Sequence, residues 1–237
     1  MTNSSTVNPP DKSRTSPILD FTVRAVHGIS PGTRAGRLGI IGGSYNPITR
    51  AHLVLSESAR DQAKLHEVLL VLSKTPPHKV IFGASLPQRL EMMRLAVEEY
   101  PFISIGLCSH GLFLDICSAL KQVYPAGTEF FFITGRDAAE RILSWPYHDP
   151  AAALEQMFSS FQLLVFPRQG PLVLPQEQLL QRCAERIHQL RTPAAISHIS
   201  SSLVRQYVRE GKPFRHLVPE KVHDYIIAHQ LYRNANE

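Results

Sequence analysis

A chain of 237 residues, 43% hydrophobic and 19% charged, is long enough to bury one sizeable α/β core and excludes a fibrous or wholly disordered protein. Its net charge of +5 and pI near 9.2 favour phosphorylated or polyanionic ligands, yet a surplus this small obliges no partner and disfavours nucleic acid as the main ligand. Three cysteines, an odd set without a CxxC, suggest neither a disulfide framework nor a zinc site, and no apolar run reaches the roughly 20 residues that span a bilayer, so a cytoplasmic protein without a membrane partner is expected.

Residues 1–36 are rich in Ser, Thr, Pro and Gly, with one apolar patch at Ile18–Val26, and read as a mostly disordered leader. One folded domain, 37–237, is expected to follow. Its first strand, Leu38–Ile41, runs into Gly42-Gly43-Ser44-Tyr45-Asn46-Pro47-Ile48-Thr49-Arg50-Ala51-His52. Adjacent glycines let a backbone approach a ligand closely, and the helix that follows aims its amides and positive dipole end at an anion. Pro47 helps fix the turn, and His52, about one turn into the helix, can reach a bound phosphate. The pattern is neither GxxxxGK[ST] nor GxGxxG.

Val68–Leu72 forms a second strand, followed by Lys74-Thr75-Pro76-Pro77-His78-Lys79, a rigid turn with two ammonium groups able to clamp a phosphate. Ser85-Leu86-Pro87-Gln88 is a capping box, after which Leu86, Leu90, Met93 and Val97 mark one face of a helix. A third strand, Phe130–Ile133, leads into Thr134-Gly135-Arg136-Asp137. Asp137 either caps the helix Ala138–Leu143 or accepts from ribose hydroxyls, and the residues alone leave both open. Trp145 either packs in the core or stacks on a base.

Leu163–Phe166 is the fourth strand; Ser200-Ser201-Ser202 then offers N-cap hydroxyls to a helix over Leu203–Glu210 that Gly211 and Pro213 end. Arg205 lies one turn inside it, where its charge opposes the dipole; with Ser201 and Ser202 it suits a cradle for a polyphosphate, while a bare helix cap with a solvated arginine is the alternative, and the residues alone leave both open. A last helix opens at Pro219. Alternating strands and helices predict a Rossmann-like parallel sheet flanked by helices, with the three turns converging at its carboxyl edge.

Together these residues resemble the nicotinate or nicotinamide mononucleotide adenylyltransferases of the nucleotidyltransferase superfamily, over roughly residues 38–232. Gly42 to His52 is similar to the family's first motif, with Thr49 where many bacterial members have a histidine and His52 at the essential second position. Pro76-Pro77-His78-Lys79 with Arg89, Gly135-x-Asp137 with Trp145, and Ile199-Ser200-Ser201-Ser202-Leu203-Val204-Arg205 resemble three further motifs, and Leu231-Tyr232 is family-like as well. The resemblance implies ATP, with Mg²⁺ carried on its phosphates rather than by a protein metal site, and a mononucleotide as second substrate, in NAD biosynthesis. It implies His52 and Arg205 as catalytic, Gly43, Ser44, Tyr45, Thr49, Gly135, Asp137, Ser201 and Ser202 as ATP-binding, and Lys79, Arg89 and Trp145 as mononucleotide-binding.

Two departures from the pattern stand out. Ser109-His110-Gly111-Leu112-Phe113-Leu114-Asp115 replaces the Ser-Tyr-Thr loop that reads the pyridine ring in many bacterial members, and Arg136 replaces a small residue beside the ribose. They leave the choice between nicotinate and nicotinamide open. Phosphopantetheine or another small phosphate as substrate, and a non-catalytic nucleotide-binding protein of the same fold, are the alternatives; homo-oligomer formation is left open too.

Overall fold

The computed structural model describes residues 16–30, 34–74, 82–144, 149–167, 172, 181 and 183–233. Their strands are β1 (Leu19–Val23), β2 (Arg37–Gly43), β3 (Glu67–Ser73), β4 (Ile103–Cys108), β5 (Glu129–Gly135), β6 (Gln162–Phe166) and β7 (Ile187–Gln189). They form one sheet in the order β1-β4-β3-β2-β5-β6-β7, parallel throughout except that β1 runs antiparallel to β4. The helices among the described residues are α1 (Arg50–Ala63), α2 (Leu86–Val97), α3 (Phe113–Val123), α4 (Arg136–Leu143), α5 (Pro150–Ser160), α6 (Ser201–Arg209) and α7 (Glu220–Ala228).

Both faces of the sheet are covered, which is why its central strands read as unbroken apolar runs. In β3, Val68, Leu70 and Leu72 pack with Leu53 of α1, Met92 and Met93 of α2, Val204 of α6 and Val222 of α7. Leu69 and Val71 point the other way, toward Ile116 of α3, Ala139 of α4 and Leu154 of α5. The four expected strands are present, each longer than expected by one residue or more. The capping box at Ser85 is present too, with Gln88 Oε1 accepting from Ser85 N–H at 2.8 Å.

The folded body begins before Arg37. Leu19, Phe21 and Val23 alternate with the polar Asp20 and Thr22, and this period-two pattern lays β1 along β4 with Leu19 buried at the edge. The segment after β1 is anchored by Glu67, whose fully buried carboxylate accepts from Ile29 N–H at 2.7 Å, Ser104 Oγ at 2.6 Å and the Tyr124 hydroxyl at 2.6 Å. A carboxylate is tolerated there because donors surround it. Thus Leu19–Val23, within the patch expected in a disordered leader, belongs to the sheet: its turn-rich neighbours hid a short amphipathic strand.

The strand order reverses between β2 and β5, where an open parallel sheet binds ligands beyond its carboxyl ends. The register shows the opening directly. β2 and β5 stay paired only to Ile40 and Phe132, whereas β2 remains bonded to β3 as far as Gly43 and Leu72, and β5 to β6 as far as Gly135 and Phe166.

Candidate active site where β2 and β5 part

The turn that leaves β2 has no regular secondary structure, and side chains from distant elements hold its carbonyls. Arg89 Nη1 of α2 donates to Ser44 O at 2.9 Å, Arg205 Nη1 of α6 to Asn46 O at 2.6 Å, and Ser201 Oγ to Pro47 O at 2.7 Å. The Asn46 side chain, itself buried, accepts from the Tyr232 hydroxyl at 2.9 Å and donates to Phe82 O at 2.6 Å. The Asn46–Pro47 bond is cis. Tyr45, at φ +43°, turns inward beneath the glycines and donates to Ile41 O at 2.5 Å.

A Cβ at Gly43 would stand 3.0 Å from Tyr45 Cζ, so a side chain there would press on the Tyr45 ring. Gly42 and Gly135 differ: a Cβ at either meets nothing within 4 Å. These two glycines flank the opening and leave it clear for a ligand.

His52 is in the first turn of α1, with its ring 5.2 Å from that of Tyr45. Thr49 N–H donates to its Nδ1 at 3.1 Å, and Thr49 Oγ1 is 2.7 Å from the same nitrogen. An Nδ1 that accepts an amide proton places the proton of the neutral ring on Nε2. His52 is therefore oriented as an Nε2–H donor by the cap of its own helix.

At the start of α6 the three serines divide their work. Ser200 is the N-cap, accepting from Leu203 N–H at 3.1 Å; Ser201 is tied to Pro47; Ser202 is exposed, with Arg205 Nη2 at 3.4 Å from its Oγ. Two helix N-termini, those of α1 and α6, thereby meet at one turn, a ready arrangement for anionic oxygens. Beyond β5, Gly135 is the N-cap of α4, so Asp137 does not cap the helix. Its carboxylate stands exposed in the first turn, while Arg136 Nε lies 3.3 Å from Glu140 Oε1, along α4.

Several of the residues expected to contact ligand hold the turn itself together. Thr49 has no exposed surface and directs both its polar groups to His52, and Tyr45 is 1% exposed and directed into the core, so neither offers a hydroxyl to ATP. Arg89, expected on the mononucleotide, is buried beneath Ser44, and Ser201 gives its proton to Pro47. Burial lowers the pKa of both Arg89 and Arg205, but a guanidinium starts so high that each stays charged, giving the turn a cationic floor. Lys79 and Trp145 lie outside the described residues. Tyr232 and Phe82 were not foreseen as parts of the site, and Asn46 was read only as part of the Gly42–His52 turn without a role; of the first two, only the Leu231-Tyr232 ending gave a signal, a family-like pattern without a role. A cavity of about 550 Å³ lined by Arg209, Lys212, Phe214 and Arg233 includes none of the motif residues.

The model of the cytidylyltransferase-like family matches residues 40–207. A probable nicotinate-nucleotide adenylyltransferase of Carboxydothermus hydrogenoformans is 37% identical over 206 residues, covering 83% of this chain and 98% of that protein. One from Geotalea daltonii is 33% identical, covering 84% and 99%. Among solved structures, Plasmodium falciparum nicotinic acid mononucleotide adenylyltransferase complexed with NaAD shares the fold, with TM-score 0.63, 21% identity, and coverage of 83% of this chain and 97% of that one. The same protein complexed with APC gives TM-score 0.61 at 20% identity. Sequence and fold agree, and the chain belongs to the cytidylyltransferase-like family of nucleotidyltransferases, in the branch of the nicotinate-nucleotide adenylyltransferases.

Proposed function

We propose that this protein transfers the adenylyl group of ATP to nicotinate mononucleotide, a step in NAD biosynthesis. A 5′-phosphate oxygen of the mononucleotide forms a bond to the α-phosphorus of ATP; the bond from that phosphorus to the bridging β-oxygen breaks, and pyrophosphate leaves. No covalent enzyme intermediate is needed, so the protein's work is positioning and charge stabilisation. The observation that carries the reading is the bond from Thr49 N–H to His52 Nδ1 in the first turn of α1, which leaves Nε2 as the donor of the neutral ring.

In this reading His52 donates to the α-phosphate as negative charge builds on it. The Gly43 and Ser44 region and the first turn of α6, with Ser202 and Arg205, hold phosphate oxygens, and Asp137 accepts from ribose hydroxyls. Mg²⁺ enters with the triphosphate as part of the substrate in this reading. No helix among the described residues is long and apolar enough to cross a membrane.

The test is pyrophosphate release from ATP and Mg²⁺ with nicotinate mononucleotide, nicotinamide mononucleotide and phosphopantetheine in parallel, with His52→Ala as the blank. Release with nicotinate mononucleotide above the other two is the expected result. Release with phosphopantetheine alone would replace the second substrate, and silence with all three would overturn the reaction.

A further inference from the structure

The antiparallel strand β1 delivers its first residues to the edge where the parallel strands end. Leu19 pairs with Cys108, the last residue of β4. Beyond it Ile18 and Ser109 exchange two hydrogen bonds: Ser109 N–H donates to Ile18 O at 3.0 Å, and Ile18 N–H donates to Ser109 Oγ at 2.9 Å. Ser109 Oγ is in turn 2.8 Å from His110 Nδ1. One residue into β1, Asp20 Oδ2 accepts from Lys74 Nζ at 3.1 Å, while Lys74 N–H donates to Cys108 O at 2.9 Å. The first residue after β3 and the first two after β4 are thus held in one network that β1 closes.

This network lies beside the candidate active site, since β3 is bonded to β2 up to Gly43. Four large apolar side chains also stand exposed in segments that meet this edge: Ile18, Phe82, Leu112 and Leu114. Ile18 is bonded to Ser109, Phe82 O receives the Asn46 amide, and Leu112 and Leu114 follow β4 directly. Exposed apolar groups with a few fixed polar ones are the make-up of a wall for a flat, partly polar ring.

We propose that β1 is a specificity element, a strand added to the sheet that fixes the ends of β3 and β4 as the wall receiving the aromatic base of the mononucleotide. The inference rests on the adenylyl-transfer reading, in which ATP takes the side of the opening formed by β5, α4 and α6 and leaves the β3 and β4 ends to the second substrate. Lys74 and His110 are the polar groups presented to the ring substituent, and Asp20 and Ser109 are the positioning residues behind them. An exposed ion pair such as Asp20–Lys74 adds little to stability, so its removal tests position rather than folding.

The experiment is steady-state kinetics of Asp20→Asn, Ser109→Ala and the double variant, with each substrate varied in turn and nicotinate and nicotinamide mononucleotides compared. The expected result is a rise in KM for nicotinate mononucleotide of about fivefold per single variant, the size of one ordinary hydrogen bond. A changed preference between the two mononucleotides should accompany it, with KM for ATP kept within about twofold and thermal midpoints kept near wild type. Product from every variant with an unchanged mononucleotide KM, or an equal rise in both KM values, overturns this inference alone. Absence of product from the wild type overturns the adenylyl-transfer reading, and this inference with it.

Discussion

His52 shows how one side chain acquires a defined protonation geometry from its own backbone neighbourhood. The Thr49 amide donates to Nδ1 whatever stands at position 49, so the tautomer belongs to the helix start, and the Thr49 hydroxyl only reinforces it. Replacing His52 by Ala should lower kcat by about 10²–10³, as loss of a transition-state donor does, with ATP binding largely kept. An unchanged kcat would remove His52 from the chemistry. The glycines give a complementary test. Gly135 sits at φ −72° and ψ 157°, ordinary for any residue, and a side chain there meets open space. Gly135→Val should therefore leave the thermal midpoint within about 2 °C, as exposed substitutions do, while raising KM for ATP at least about tenfold. A normal KM for ATP would show that the opening between β2 and β5 is not where ATP binds. The turn from Gly42 to His52 and the helix after it were readable because that pattern is local. That Tyr45 and Thr49 face inward was not, since an exposed hydroxyl and a buried one look alike in a sequence.

Among the elements, α6 separates folding from binding within three consecutive serines. Ser200→Ala removes the cap and should cost about 1 kcal/mol of stability in denaturant unfolding, with KM for ATP little changed. Ser202→Ala should do the reverse, keeping stability and weakening ATP. If both variants weaken ATP equally, the division of roles is wrong. At the far end of the helical layer, Glu98 after α2 is hydrogen-bonded to Lys221 of α7, and this contact holds the Glu98 carboxyl below its ordinary range. A depressed carboxyl contributes stability above the ordinary Glu value, and that contribution is lost as pH falls through the depressed value. Lys221→Ala should therefore lower the thermal midpoint slightly at about pH 6, and the difference from wild type should vanish toward about pH 3 and in high salt. A difference that persists at low pH would assign the effect to packing instead.

At the scale of the whole molecule, two apolar layers close over one sheet and bury all three cysteines. Burial raises the pKa of Cys108, Cys117 and Cys183, pushing Cys117 up to about 12. The native protein should expose less than one reactive thiol per chain to a colorimetric disulfide reagent at about pH 8, and three after denaturation. Rapid native labelling would mean that the layers open readily. The fold class was legible because each of β2, β3, β5 and β6 is a short apolar run buried on both faces, and such runs announce themselves. β4 was missed because Ser104 and Gly106 interrupt its apolar run, and β7 because it has only three residues, two of them exposed. β1 was missed because it is an amphipathic edge strand set among turn formers.

The sequence by itself determined what depends on neighbours along the chain: the parallel α/β class, the glycine turn after β2, the capped start of α6 and the position of His52 in the first turn of α1. Only the tertiary structure decided how that turn is held. Arg89 reaches Ser44 across 45 residues, Arg205 reaches Asn46 across 159, and Tyr232 reaches Asn46 across 186. It also decided that β2 and β5 part after Ile40 and Phe132, and that β1 comes to the carboxyl end of β4. Propensity and periodicity act over one or two turns of chain, whereas a buried carbonyl takes its donor from whichever element the packed core brings beside it.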